Sequence, residues 1–166
     1  MERLNLIDGR WVSARSGDRL VVRDPATDEE VATVPRGGRE EALEAVDAAA
    51  RALPAWRATT ADERAVILHR MARAMLERRD DLARTMTREQ GKPLAEARGE
   101  ITYAASFIEW AAEEGRRLHG EVVPAATADK RILVLRRPVG VTAAITPWNF
   151  PAAMITRKLG PALAVG

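Results

Sequence analysis

Residues 141–154 read VTAAITPWNFPAAM and join an apolar run to a turn that is bracketed by two prolines. The apolar run has no polar face, a pattern typical of a strand inside a parallel sheet. Each proline fixes its own φ and biases the preceding residue away from the helical region. The stretch therefore predicts a buried strand over 141–146, a rigid turn, and a helix that starts at Pro151.

A single amide side chain, Asn149, lies inside this turn between Trp148 and Phe150. Ligands of open α/β sheets bind at the carboxyl ends of the strands, which is where the turn is expected. An amide that is held in one direction there can donate to an oxygen that becomes charged during a reaction. Asparagine is also a common helix cap and turn residue. The residues alone leave both interpretations of Asn149 open.

The chain before this turn begins with β patterns and continues with helical ones. Two hairpins are predicted within residues 4–35, and the first turns at Asp8-Gly9. A first helix follows the Gly37-Gly38 pair, and we expect Pro54 to interrupt or end it. The second helix has the clearest start, because Thr60 and Glu63 have the spacing of a capping box.

Two further helices and a strand are predicted before the turn. Asp80 is expected to cap the third helix and Gly91 to end it. The fourth helix is expected to open at Pro93 and to stop at Gly120. A strand should follow over residues 131–136. The acidic residues of the third and fourth helices are predicted to face solvent; they include Glu89, Glu96 and Glu100.

Composition excludes several classes of protein and site. The net charge is +2, and the basic residues are interspersed with acidic ones, so no nucleic-acid partner is predicted. The sequence has no cysteine, which excludes disulfides and thiolate sites within these residues. His69 and His119 are isolated, so no metal site is expected. No apolar run has membrane-spanning length, and the prediction is a soluble, cytoplasmic protein.

Four segments together resemble the NAD(P)-dependent aldehyde dehydrogenase superfamily. They are LIDGRWV, RDPATDEEVATVP, REQGKPLAEARGEI and RRPVGVTAAITPWNFPAAMITRKLGPALAVG. The resemblance implies an α/β fold with hairpins, a helical layer and the first β-α unit of a Rossmann-like parallel sheet, which is the incomplete N-terminal part of the aldehyde dehydrogenase fold. It divides the chain into residues 1–138, with the hairpins and helical layer, and 139–166, where the nucleotide-binding sheet begins.

The resemblance also implies roles for the residues of the turn. In the family, the asparagine of this loop donates its amide to the oxyanion that forms when a cysteine thiolate attacks the aldehyde, and Asn149 matches it. The main chain just before it lies against NAD or NADP, which indicates Thr146, Pro147 and Trp148. Lys158 matches a lysine that is usual in the family, and a supporting electrostatic role is expected for it.

Within the superfamily the chain is most similar to the succinate-semialdehyde dehydrogenases. That similarity implies a semialdehyde substrate, succinate or glutarate semialdehyde, and assigns Arg157 to its distal carboxylate, which a guanidinium fits in a bidentate way. The alternative for Arg157 is a surface arginine on a helix. The family generally forms dimers or tetramers, so a homo-oligomer is expected for the whole protein.

The sequence departs from the family in the residues that the chemistry needs. The cysteine nucleophile and the glutamate base have no counterpart in these 166 residues, which are predicted to be the front part of a longer enzyme and to be inactive alone. Two alternatives stay open. One is a stand-alone interaction module that recruits a partner through a free strand edge, and the other is one half of a split dehydrogenase.

Overall fold

The computed structural model describes residues 4–166, in which short antiparallel sheets accompany a layer of helices. The strands and helices are β1 (Asn5–Ile7), β2 (Arg10–Val12), β3 (Arg19–Arg23), β4 (Glu30–Pro35), α1 (Arg39–Ala58), α2 (Ala61–Glu77), α3 (Arg79–Gln90), α4 (Leu94–Gly115), β5 (Glu121–Val123), β6 (Ile132–Val134) and α5 (Ala153–Ala164). The strands form three separate pairs: β1 with β2, β3 with β4, and β5 with β6. No helix in the described residues is both long enough and apolar enough to cross a lipid bilayer.

Both predicted hairpins are confirmed. In the first, Asp8 and Gly9 both have positive φ, 52° and 72°, which is the geometry of the two-residue turn that matches strand twist. The register pairs Leu6 with Trp11. The second hairpin pairs β3 with β4 and contains an irregularity between Val22 and Arg23.

The core lies between α2, α4 and α5. Its members are small or branched apolar residues: Ala65, Leu68, Ala72, Ala105, Ile108, Ala111, Ala112 and Ala164. The backbones of α4 and α5 approach closely at Gly160, where an added Cβ would lie 3.0 Å from the Cβ of Ala111 and 3.1 Å from the carbonyl oxygen of Phe107. A second cluster joins α3 to α4 around Ala83, Met86, Ala97 and Ile101. Helix α5 is therefore fixed along α4, and this position determines where the turn before α5 lies.

The prolines inside helices do not end them. Helix α1 continues through Pro54 to Ala58, so the predicted stop is wrong. The turn that follows Pro54 is fastened to α5, because the indole Nε1 of Trp56 donates to the carbonyl oxygen of Leu163 at 3.1 Å. Pro161 likewise lies inside α5, in its last turn.

Two predicted helix boundaries are wrong and one is confirmed. Helix α3 begins at Arg79, so Asp80 lies in its first turn instead of capping it, and its carboxylate contacts the guanidinium groups of Arg79 and Arg98. The side-chain hydrogen bond from Arg79 is the main cause that lowers the pKa of Asp80. Helix α4 ends at Gly115 and not at Gly120. Gly91 ends α3 with φ 79°, as predicted.

The predicted strand over 141–146 is absent from the described residues. The segment has no strand hydrogen bonds, and Ile145 is 90% exposed. A strand exists only beside another strand, and no second strand lies next to this segment within residues 4–166. The strand predicted over 131–136 is shorter, Ile132–Val134, and pairs with Glu121–Val123. Helix α5 begins at Ala153, two residues after the predicted start.

The capping box of α2 is confirmed and leads to a pH-dependent prediction. The main-chain N–H of Thr60 donates to the Glu63 carboxylate at 2.7 Å, and the Glu63 N–H donates to Thr60 Oγ1 at 3.2 Å. The bond from the Thr60 backbone, followed by that from its hydroxyl, holds the pKa of Glu63 below its ordinary value of 4.5. The contribution to stability is therefore present above pH 4.5 and is lost as the pH falls through the lower pKa of the folded state.

We expect Thr60→Ala to lower the free energy of unfolding by about 1 kcal/mol at neutral pH. Glu63→Gln should also be destabilising at pH 7, and its difference from the wild type should shrink at pH 3, because protonation of the native carboxylate removes its contribution as the pH falls below 4.5. Urea unfolding at both pH values measures these effects. Glu109→Gln, at an exposed position of α4, is the matched control. An equal loss for Glu63→Gln at the two pH values would contradict the role of the carboxylate.

Candidate functional site

A groove of about 500 Å³ lies between the junction of α3 and α4 and the turn that precedes α5. Residues 90–93 form one side, and residues 148–150 form the opposite side. The first turns of α4 form the floor; their lining residues are Glu96, Gly99, Glu100 and Tyr103. The groove thus brings the segment REQGKPLAEARGEI against the segment ITPWNFP, which are more than 40 residues apart in sequence.

Gly91 shapes the junction side of the groove. Its φ of 79° lies in the left-handed region, and its N–H donates to the carbonyl oxygen of Thr87 at 2.8 Å. A Cβ at this position would lie 2.8 Å from Cγ of Pro25, in the loop between β3 and β4. Both facts require glycine. The tight turn at Gly91 ends α3 and directs Lys92 toward α4.

The junction holds the turn by its main-chain carbonyl groups. Lys92 Nζ donates to the carbonyl oxygen of Asn149 at 2.8 Å and lies 4.2 Å from the ring centroid of Phe150. Gln90 Nε2 donates to the carbonyl oxygen of Trp148 at 3.2 Å. Two consecutive carbonyl groups of the turn are therefore fixed from the same side.

Glu100 completes this arrangement from the floor of the groove. Its carboxylate forms an ion pair with Lys92, and the exposed fractions of the two side chains are 1% and 10%. Its Oε1 also accepts hydrogen bonds from the main-chain N–H groups of Ala152 at 2.9 Å and Ala153 at 3.2 Å. Glu100 therefore satisfies the first free N–H groups of α5, a helix that has no side-chain cap of its own.

The prediction that Glu100 faces solvent is wrong. Along α4 the neighbouring positions Ala97, Ile101 and Ala104 are buried, and Glu100 falls on the same stripe. The helical periodicity contained this signal, because a carboxylate on the apolar face of a helix needs a partner inside the protein. Neither Lys92 nor Glu100 was identified from the sequence as a functional residue.

Asn149 presents its side chain at the groove. The residue is exposed and lines the groove, and within residues 4–166 its amide group makes no hydrogen bond, whereas its main-chain carbonyl is bound by Lys92. The helix-cap alternative does not describe this geometry, because the N-cap of α5 is Ala152 and the N–H groups there bind Glu100. The amide of Asn149 is thus available to a ligand in the groove.

The other residues predicted from the turn have different exposures. Thr146 is half-buried, Pro147 is exposed, and the Trp148 side chain is 79% exposed. Contact of these three residues with a nicotinamide cofactor stays a prediction. Lys158 is exposed on α5.

Arg157 lies on α5 beside the groove and is not a solvated arginine without contacts. Its Nη2 donates to the hydroxyl oxygen of Tyr103 at 3.1 Å, and its guanidinium carbon lies 4.7 Å from the ring centroid of Phe107. Tyr103 also lines the floor of the groove, whereas Arg157 itself is not one of the lining residues. Sequence patterns gave no role to Tyr103 or Phe107, because their contacts join α4 to α5 across more than 45 residues.

Comparisons with known proteins agree with the fold. The aldehyde dehydrogenase family model matches residues 11–166. A succinate-semialdehyde dehydrogenase [NADP(+)] of Escherichia coli strain K12 is 62% identical over 161 residues, which are 97% of this chain and 33% of that protein. A glutarate-semialdehyde dehydrogenase of Pseudomonas putida strain KT2440 is 60% identical over 160 residues, which are 96% of this chain and 33% of that protein.

A solved structure gives the same result for the fold. The crystal structure of an Escherichia coli NADP-dependent enzyme superposes with a TM-score of 0.97 at 60% identity and covers 99% of this chain and 34% of that one. The chain therefore spans about a third of the length of the relatives that it matches. The family match over almost the whole chain, the semialdehyde dehydrogenase relatives and the shared fold lead to one conclusion: the chain belongs to the aldehyde dehydrogenase family.

Proposed function

We propose that these residues supply the oxyanion-stabilising amide of an enzyme that oxidises a semialdehyde to the carboxylic acid with NAD or NADP. The observation that carries the proposal is the state of Asn149. Its side-chain amide makes no hydrogen bond within residues 4–166, while its own carbonyl and that of Trp148 are held by Lys92 and Gln90. A donor with a fixed backbone and an open amide suits an oxygen that gains charge during reaction.

The role of Asn149 is to bind the carbonyl oxygen of the aldehyde. When a thiolate adds to the carbonyl carbon, the C=O π electrons move to the oxygen, which becomes an oxyanion. The amide N–H of Asn149 donates to that oxygen and stabilises it more than it stabilises the neutral carbonyl. The thiolate must come from outside the 166 residues, since the sequence has no cysteine, and we assign the carboxylate base to the same outside part.

The cofactor is assigned to the segment before Asn149. Residues 146 and 147 make no main-chain hydrogen bond within the described part of the chain, and the large ring of Trp148 is exposed, so a flat group can approach this main chain. Thr146, Pro147 and Trp148 would hold it. When bound, NAD or NADP accepts the hydride from the substrate carbon. The relative from Escherichia coli is named for NADP(+), which supports NAD(P) as the cofactor class.

Arg157 is assigned to the distal carboxylate of the substrate. Two observations support this assignment: Arg157 is bonded to Tyr103, which lines the groove, and two relatives are named for succinate and glutarate semialdehydes. Its Nη2 is bound to a neutral hydroxyl and not to an acidic side chain, which leaves the positive charge available to an anion.

The proposal also covers the whole protein that carries these residues. That protein is proposed to be a homo-oligomer and to lie in the cytoplasm. Within the chain, residues 1–138 are proposed to form one part and residues 139–166 the start of the nucleotide-binding sheet.

The test compares charged and uncharged aldehydes. In the whole protein that carries these residues, Arg157→Met should raise the KM for succinate semialdehyde about ten- to a hundredfold, because a charge-assisted bond is lost. The KM for butanal should be unchanged. Arg73→Met, at an exposed site on α2, is the matched control. Equal effects on both aldehydes would contradict the role of Arg157.

The same assay tests the chemistry assigned to the chain. The 166 residues alone should oxidise neither aldehyde with NAD or NADP, because the proposed reaction needs a thiolate that they lack. NAD(P)-dependent oxidation by the isolated chain would overturn the proposal. So would a whole protein that oxidises butanal but not succinate or glutarate semialdehyde, since that result would remove the substrate class.

A further inference from the structure

We propose that Lys92 and Glu100 are positioning residues that fix the direction of the Asn149 amide. They act from both sides of the turn, on the carbonyl group of Asn149 and on the N–H groups of Ala152 and Ala153. The inference rests on the proposed oxyanion role of Asn149 and adds to it the residues that set the geometry of this donor.

Lys92 holds the turn at the carbonyl group of Asn149. A shift of the main chain of the turn would displace the Cα of Asn149 and therefore the amide that it carries. Lys92 Nζ opposes such a shift by binding the Asn149 carbonyl oxygen at 2.8 Å. The ammonium also lies 4.2 Å from the ring centroid of Phe150, so the next side chain covers it from water.

Glu100 holds the other end of the turn, where α5 begins. Its Oε1 binds the N–H groups of Ala152 and Ala153, where α5 begins. Its carboxylate at the same time binds Lys92. A single carboxylate therefore connects the residue that holds the Asn149 carbonyl to the helix that follows Asn149. The turn between them is anchored at both ends.

The ion pair between Lys92 and Glu100 is largely buried. Lys92 is 10% exposed and Glu100 is 1% exposed, so water and salt screen their interaction little. Both oxygens of Glu100 have partners, which removes its rotational freedom. A buried ion pair is not needed to stabilise a fold, because apolar residues commonly replace one without loss. The contacts at Asn149 give this pair a role that an apolar replacement would not fill.

The test uses the whole protein that carries these residues, with Lys92→Met and Glu100→Gln. Each should lower kcat about ten- to a hundredfold, since a small misplacement of a catalytic group has effects of this size. The KM for NAD(P) should change less than about twofold, because the pair is not assigned to cofactor binding. Lys130→Met, in the loop between β5 and β6, and Glu109→Gln are the matched controls. Glu100→Gln keeps an oxygen for the two helix N–H groups, so it preserves the fold if Lys92→Met does not.

The decisive readout is a double-mutant cycle with Asn149→Ala. If the pair acts through Asn149, Lys92→Met should have no further effect on kcat in the Asn149→Ala protein. An undiminished effect there would overturn the inference, and so would an unchanged kcat for both Lys92→Met and Glu100→Gln. Asn149→Ala separates the two proposals. If Asn149→Ala leaves kcat unchanged, the proposed function fails. If Asn149→Ala lowers kcat and neither Lys92→Met nor Glu100→Gln does, only this inference fails. Hydrogen exchange of residues 148–153 should become faster in Lys92→Met and stay unchanged in Lys130→Met.

Discussion

Asn149→Ala is expected to lower kcat of the whole protein about 10²- to 10³-fold, the range found when one oxyanion donor is removed. Asn149 lines the groove, and its amide makes no hydrogen bond within residues 4–166, so its loss leaves no partner of the folded chain unsatisfied. The fold should therefore be unchanged. Since the donor acts mainly on charge that develops in the transition state, kcat and kcat/KM should fall together, and the KM values should change little.

Asn149→Asp sharpens this test. Aspartate has the same size as asparagine but has no N–H group and places a negative charge beside the developing oxyanion. Its kcat should be at least as low as that of Asn149→Ala. Steady-state rates with succinate semialdehyde measure both variants, and circular dichroism checks the fold. A kcat within about threefold of the wild type for Asn149→Ala would mean that oxyanion stabilisation comes from other groups, since the loss of one donor has a far larger effect.

Glu100→Ala is expected to give the largest loss of stability, about 3–5 kcal/mol in the free energy of unfolding, as found when one partner of a buried ion pair is removed. The substitution leaves Lys92 with a charge that is 10% exposed, and it leaves the N–H groups of Ala152 and Ala153 without their acceptor. Both groups would have to find water or remain unsatisfied.

Urea unfolding measures this loss of stability, and two other variants serve as references for it. Glu109→Ala, an exposed position on the same helix, should change stability by less than about 0.5 kcal/mol. Glu100→Gln should fall between Glu109→Ala and Glu100→Ala, because its amide oxygen still accepts from the start of α5. If Glu100→Ala were as stable as Glu109→Ala, the carboxylate would not be bound in the way that the structure shows.

The parts of the fold that depend on local chemistry could be predicted from the sequence. The turn at Asp8-Gly9 and the capping box at Thr60 depend on residues within three positions of one another. Gly91 ends α3 because only glycine fits its backbone. The position of Asn149 in a turn before a helix was also predicted, since the prolines that fix it are its near neighbours.

The parts that depend on distant contacts were missed. Pro54 does not end α1, and Trp56 in the turn after it binds the carbonyl oxygen of Leu163, 107 positions away. Glu100 was expected in solvent, because its partners Lys92 and Ala152 lie eight and 52 positions away. The strand over 141–146 was predicted from its apolar residues, whereas a strand also needs a neighbour, and the described residues place none beside it.

The acceptor that Glu100 gives to α5 has a consequence for the order of folding. Helix α5 has 12 residues, a length at which an isolated helix is marginal in water. Its first N–H groups are satisfied from 52 and 53 residues upstream, so the start of α5 gains this support only after α4 has formed and docked. During synthesis from the N-terminus, α4 leaves the ribosome before α5 does. The loop that carries Asn149 therefore reaches its final shape late, on a scaffold that is already in place.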